Sequence, residues 1–208
     1  MEPYKLPICV AEAEFTEKRS RFICNITPVR SEDEALSFLY SIRMKYRDAT
    51  HNVYSYRLKS NGICRHSDDG EPSGTAGMPL LNVFIKQDVY DFCCIATRYF
   101  GGIMLGAGGL VRAYARCGTL ALETSGVGLM SEISLCSMTI PYTLYEVVKR
   151  FLNARGADVI SEDFGAEVEI KFSLLSDEVP EFNEKLSGLT SGLIHTHVEE
   201  KRIDRIKG

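Results

Sequence analysis

Between Asn52 and Leu58 the chain alternates Val53, Ser55 and Arg57 against Tyr54, Tyr56 and Leu58. A period of two marks a half-buried strand. Phe15 to Val29 is rich in strand formers and reads as strand. Ser31-Glu32-Asp33-Glu34 then opens an amphipathic helix to about Tyr46. In this capping-box pattern the serine hydroxyl accepts from the N–H three residues on and the glutamate reaches back. Gly62 precedes a short strand through Ile63 and Cys64, which predicts a hairpin around Ser60-Asn61-Gly62. Met78 to Gln87 suits a short helix with Pro79 in its first turn, where a missing N–H is tolerated. Phe92 to Tyr99 is a continuous apolar strand. Leu110, Val111, Ala113, Tyr114, Cys117, Leu120 and Ala121 then recur at helical spacing from about Gly108 to Gly126–Gly128.

Beyond that glycine pair the pattern predicts strand 132–140, helix 144–155, strand 159–164, a turn at Gly165, strand 167–174, helix 177–186 and strand 194–200. The order βαββαβ is that of a ferredoxin-like domain. The expected architecture is therefore α+β with two domains, 1–128 and 132–208, and a linker at 129–131.

At 208 residues, 45% hydrophobic and 25% charged, the chain is an ordinary globular composition, able to bury two small cores. Its apolar runs fall short of the roughly 18 to 20 residues of a membrane span. The first residues, with Glu2, Lys5, Glu12 and Glu14, lack a signal-peptide core, so the expectation is a cytoplasmic protein with no membrane partner. Its 7 cysteines never form a C-x-x-C pair and read as reduced core thiols, with Cys93 and Cys94 pointing to opposite faces of one strand. The formal charge of −4 is uneven: residues 1–130 hold 15 Lys/Arg against 14 Asp/Glu, and 131–208 hold 9 against 14. An anionic partner should meet the first half.

The stretch Arg98 to Arg116 contains five glycines and three arginines and no acid. Gly101, Gly102, Gly106, Gly108 and Gly109 allow close backbone approach, and a helix starting near Gly108 would aim free N–H groups and its positive end at a phosphate or carboxylate. Arg112 and Arg116, four apart, would extend that surface, with Arg98 at its start. The glycines could equally serve tight packing, with the arginines paired to nearby acids. Neither a Walker loop nor G-x-G-x-x-G is present.

A second constellation is Ser67-Asp68-Asp69-Gly70-Glu71-Pro72-Ser73-Gly74-Thr75-Ala76-Gly77. Its acids Asp68, Asp69 and Glu71 could hold Mg²⁺ beside a phosphate. They could equally bond their own backbone and pair with Arg65 or Arg98. Ser67, Ser73 or Thr75 with His51 or His66 as base would make a nucleophile pair. The pairs Cys64/His66 and His195/His197 each share a strand face but lack further ligands, and no resident metal or firm cofactor is implied.

Lys18-Arg19-Ser20-Arg21-Phe22, Ala49-Thr50-His51-Asn52, the Ser67 to Gly77 loop, Thr97-Arg98-Tyr99-Phe100-Gly101-Gly102 and Leu105 to Tyr114 together resemble the YigZ/IMPACT family over nearly the whole chain. The resemblance implies an N-terminal α/β sandwich like the second domain of certain ribosomal proteins and domain IV of elongation factor G. It also implies a ferredoxin-like C-terminal domain and a link to translation, with RNA, the ribosome or a translation-associated protein as partner. Eukaryotic members restrain an initiation-factor kinase by competing for its activator. This sequence holds no counterpart of their RWD-type domain, so the resemblance carries translation rather than that pathway. It supplies no catalytic residues. Three readings follow: a binding protein using the basic glycine-rich loop, an enzyme or binding protein for a phosphorylated small molecule or nucleotide, and a protein–protein adaptor using the C-terminal sheet.

Overall fold

The computed structural model describes residues 3–206, so the ends of the two expected domains, 1–2 and 207–208, lie outside the described residues. The described chain forms two compact units, Tyr4–Leu129 and Met130–Ile206, and among the described residues no helix is long and apolar enough to cross a membrane.

The N-terminal unit contains β1 (Tyr4–Pro7), β2 (Ala11–Glu17), β3 (Ser20–Pro28), α1 (Glu32–Lys45), β4 (His51–Arg57), β5 (Cys64–Ser67), α2 (Gly77–Lys86), β6 (Phe92–Tyr99) and α3 (Ala107–Ser125). Its sheet runs β2-β3-β6-β4-β5, with β6 antiparallel to both β3 and β4. Strand alternation divides the core. Phe22, Cys24, Ile26, Val53, Phe92, Cys94 and Ala96 pack under α2 and α3, while Cys93, Ile95, Tyr56 and Leu58 pack under Ala35, Leu39 and Ile42 of α1. Cys93 and Cys94 thus serve opposite layers, and burial pushes the Cys93 thiol up to about 12. Cys9 departs from the core-thiol expectation and is exposed.

The Ser31 hydroxyl accepts from Glu34 N at 3.2 Å, and the Glu34 carboxylate reaches back to Arg30 N at 2.7 Å, so the predicted capping signal starts α1. What read as one strand from Phe15 to Val29 is two, in a hairpin that turns at Lys18 and Arg19 with φ of 43° and 67°. Two left-handed residues form the turn that suits a two-residue hairpin, normally filled by Asn-Gly rather than Lys-Arg.

The C-terminal unit follows the predicted order. β7 (Val127–Ile140) leads to α4 (Tyr145–Ala154), β8 (Asp158–Phe164), β9 (Val168–Leu175), α5 (Val179–Leu189) and β10 (His197–Ile206). The sheet order β10-β7-β9-β8 and the packing of α4 and α5 onto one face, through Val148, Leu152, Phe182 and Leu186, are those of a ferredoxin-like domain. Residues 129–131, expected as a linker, lie inside β7. Gly126, at φ 73°, ends α3, and the strand begins at the next residue.

Candidate functional site

Register brings the two sequence constellations together. On β6, Arg98 stands opposite Phe22 of β3 on one side and His51 of β4 on the other. Alternation from Phe92, Cys94 and Ala96 sends the Arg98 side chain inward, where only 4% of the residue is exposed. Arg98 is therefore not part of a free cationic surface. Its Nη1 donates to Glu71 Oε1 at 2.6 Å and its Nη2 to Ser20 Oγ at 3.2 Å, while the guanidinium carbon lies 5.5 Å from the Phe22 and Phe100 ring centres. Glu71, 8% exposed, also accepts the Tyr114 hydroxyl of α3 at 2.7 Å. Burial first, and then the Glu71 carboxylate, hold Tyr114 far above the usual phenol range, so it remains a donor. Charge-assisted bonds of this length are the strong kind, and together they tie β3, β6, α3 and the Asp68 loop to one point.

His51 closes the network from β4. Its Nδ1 lies 2.8 Å from the Asp69 carbonyl, which can only accept, so Nδ1 carries the proton; Nε2 faces Glu71 Oε1 at 3.8 Å. The ring packs on Gly70, where a Cβ would lie 3.4 Å from Nδ1.

Asp68 replaces the missing cap of α2, whose N-cap residue is Ala76. Its carboxylate accepts from Gly74 N at 2.8 Å, Ala76 N at 3.0 Å and Gly77 N at 2.8 Å. Burial alone would raise its pKa, but these backbone bonds outweigh burial and hold it below the ordinary aspartate value. Asp69 accepts from Asn52 N at 2.7 Å and from Arg43 Nη2 at 2.8 Å. All three acids are engaged by protein donors, and no group of three metal-binding side chains occurs among the described residues. Ser67 accepts from Asp69 N, Thr75 donates to the Pro72 carbonyl, and Ser73 is exposed. None of these hydroxyls is bonded to His51 or His66, so no nucleophile pair forms in this arrangement.

The glycines divide by task. Gly101 packs directly on the β2–β3 hairpin, since a Cβ there would lie 2.0 Å from the Arg19 carbonyl carbon and oxygen. Its N–H donates to the same Ser20 hydroxyl that meets Arg98. Gly102 and Gly106 have φ of 81° and 72°, and Gly106 precedes α3 without a side-chain cap. Gly108 and Gly109 lie in the first turn of α3; Gly108 leaves room for Arg112, whose Nη1 would be 3.6 Å from a Cβ there. Arg112 and Arg116 are both exposed, with Arg116 lying 4.3 Å over the Phe15 ring. Ser20, and Tyr114 as a polar member of the network, were not singled out as site residues from sequence. Nothing local to either marks a partner more than forty residues away.

The glycine loop, the Asp68 loop and the basic hairpin fall within residues 18–122, which match the Impact N-terminal domain model; residues 138–193 match a domain of unknown function, DUF1949. The chain belongs to the IMPACT family. It is 36% identical over 182 residues to the IMPACT family member YvyE of Bacillus subtilis, covering 87% of this chain and 84% of that relative. It is 29% identical over 195 residues to the IMPACT family member YigZ of Escherichia coli, covering 92% and 96%. Protein IMPACT of Rattus norvegicus matches at 32% over 111 residues, 50% of this chain and 34% of that longer relative. A crystal structure described as a hypothetical protein superposes with a TM-score of 0.61 at 28% identity, over 96% of this chain and 98% of its own. In this IMPACT-family chain the buried Arg98–Glu71–Tyr114 network lies within the residues that match the Impact N-terminal domain model.

Proposed function

We propose that this IMPACT-family chain is a translation-related binding protein that engages RNA or the ribosome through one rim of its N-terminal unit. The rim comprises the Lys18-Arg19 hairpin tip, the loop from Phe100 to Gly106 and the first turns of α3. The observation that carries the reading is the Gly101–Arg19 backbone contact, which locks a basic, left-handed turn against the glycine-rich loop. Lys18, Arg19, Arg112 and Arg116 are exposed and have no ionic partner among the described residues, whereas Arg98 supports the rim from within. Solvated, unpaired cations on a rigid frame suit phosphates, because binding releases counterions. The link to translation rests on family resemblance.

The test is ribosome and RNA binding across a salt series, beside an Arg19→Ala/Arg112→Ala/Arg116→Ala variant. Salt-sensitive binding with a log–log slope of about −3, falling to about −1 in the variant, is expected for four phosphate contacts. Unchanged binding by the variant would sink the rim. A second reading, a binding protein or enzyme for a phosphorylated small molecule, draws on the uncapped start of α3 and on Arg98 Nε, which is buried without a partner. A thermal-shift series with nucleotides and sugar phosphates that gives no stabilisation at high ligand would count against it.

A further inference from the structure

Helix α1 enters the core through Ala35, Leu39 and Ile42, and its opposite side faces solvent. That side is not polar. Leu36, Tyr40 and Met44, spaced by four, are 46%, 67% and 54% exposed. At about 100° per residue they fall within an arc of about 80°, centred about 130° round the helix from the core-facing residues. Asp33 begins the same stripe and Arg47 follows it just past the helix. Both are exposed, and neither has an ionic partner among the described residues, whereas neighbouring Arg43 and Lys45 pair with Asp69 and Glu12.

The stripe is symmetric about Tyr40. Along the sequence Leu36 and Met44 lie four residues to either side, and acidic Asp33 and basic Arg47 seven, Asp33 in the first turn of α1 and Arg47 two residues past its last, Lys45. A surface with this pattern is complementary to its own copy turned end for end. We propose that α1 is a self-association surface on which two copies of this chain pair antiparallel about a twofold axis at Tyr40. Leu36 of each copy then meets Met44 of the other, and Asp33 meets Arg47. A twofold contact is the commonest way for one patch to close on itself, and rows spaced by four are the ridges used in the commonest helix packing. A foreign partner would have no reason to match acid and base placed at equal sequence separations from one tyrosine.

One helix pair buries less than the roughly 800 Å² per partner of a standard interface, so the dimer is weak and exchanges quickly. Sedimentation velocity from about 5 to about 500 µM is expected to show the mass rising from monomer toward dimer. Tyr40→Glu should remain monomeric throughout. Asp33→Arg and Arg47→Asp should each weaken association about tenfold, since the twofold repeats every like-charge contact, and the double swap should restore it. All these positions are exposed, and unchanged melting of the variants checks that they fold. A wild-type chain that stays monomeric over the whole range overturns the proposal. So does a dimer that survives Tyr40→Glu, or a double swap no stronger than the single changes.

Discussion

Arg98→Met tests the central network most directly. The side chains of Arg98 and Glu71 are 5% and 3% exposed, so solvent does little to screen their 2.6 Å ion pair. Removing the guanidinium leaves a buried carboxylate held by Tyr114 and approached by His51 Nε2 at 3.8 Å. Breaking a buried pair from one side costs about 3–5 kcal/mol. At about 3–5 °C per kcal/mol for a unit of this size, the melting transition of the N-terminal unit should fall by about 10–20 °C. Glu71→Gln should cost a similar amount, because it strands the cation instead. The double variant Arg98→Met/Glu71→Gln removes both charges and should lose about 2–3 kcal/mol less than the sum of the single changes. The assay is urea unfolding of the full chain by circular dichroism, with amide exchange resolving peptides from β3 and β6 from those of the C-terminal unit. A cost below about 1 kcal/mol for Arg98→Met, or additive single changes, would show that the pair is not the buried brace described above.

Three further outcomes follow from the same geometry. Gly101→Ala brings a methyl group within 2.0 Å of the Arg19 backbone, so the hairpin must move; a loss of about 1–3 kcal/mol and faster exchange at residues 18–20 are expected. Asp68→Asn keeps an oxygen for α2 but loses the charge that gathers three N–H groups, costing about 1–2 kcal/mol at neutral pH in urea melts. Because the folded pKa of Asp68 is depressed, its contribution is full above the unfolded value of about 3.9 and is lost as pH falls through the lower folded value; the gap between wild type and Asp68→Asn should close over that acidic window. Thiol titration should modify Cys9 rapidly in the native chain and leave buried Cys93, Cys94 and Cys117 unreacted until denaturant is added.

Local signals in the sequence were physically sufficient where one segment settles its own structure. The Ser31–Glu34 cap needs only neighbours, and the alternation of Tyr54, Tyr56 and Leu58 marks β4 as a strand without reference to the rest of the chain. The β2–β3 turn was hidden because Lys18-Arg19 adopts left-handed backbone without the glycine or asparagine that usually advertises it. The four residues of β1 are held instead by distant partners, with Tyr90 N donating to the Lys5 carbonyl. Glycines at 126 and 128 suggested a boundary, yet only Gly126 has positive φ, and Gly128 lies within a strand. In the site, both loops were legible as unusual, but the direction of Arg98 was not. An apolar run such as Phe92 to Ala96 conceals which of its two faces continues into residue 98, and only pairing with Phe22 and His51 makes that choice.

The position of β6 also bears on the order in which the chain is made. β3 and β4 flank it and never pair with each other, although α1 alone separates them in sequence. During synthesis both strands emerge well before β6, each with an open edge and an apolar face awaiting α2 and α3. The sheet of the N-terminal unit therefore cannot close until Tyr99 has left the ribosome, and its layer under α2 and α3 remains uncovered until α3 has followed. A nascent chain stalled between these points would present unsealed strand edges to every neighbour it meets.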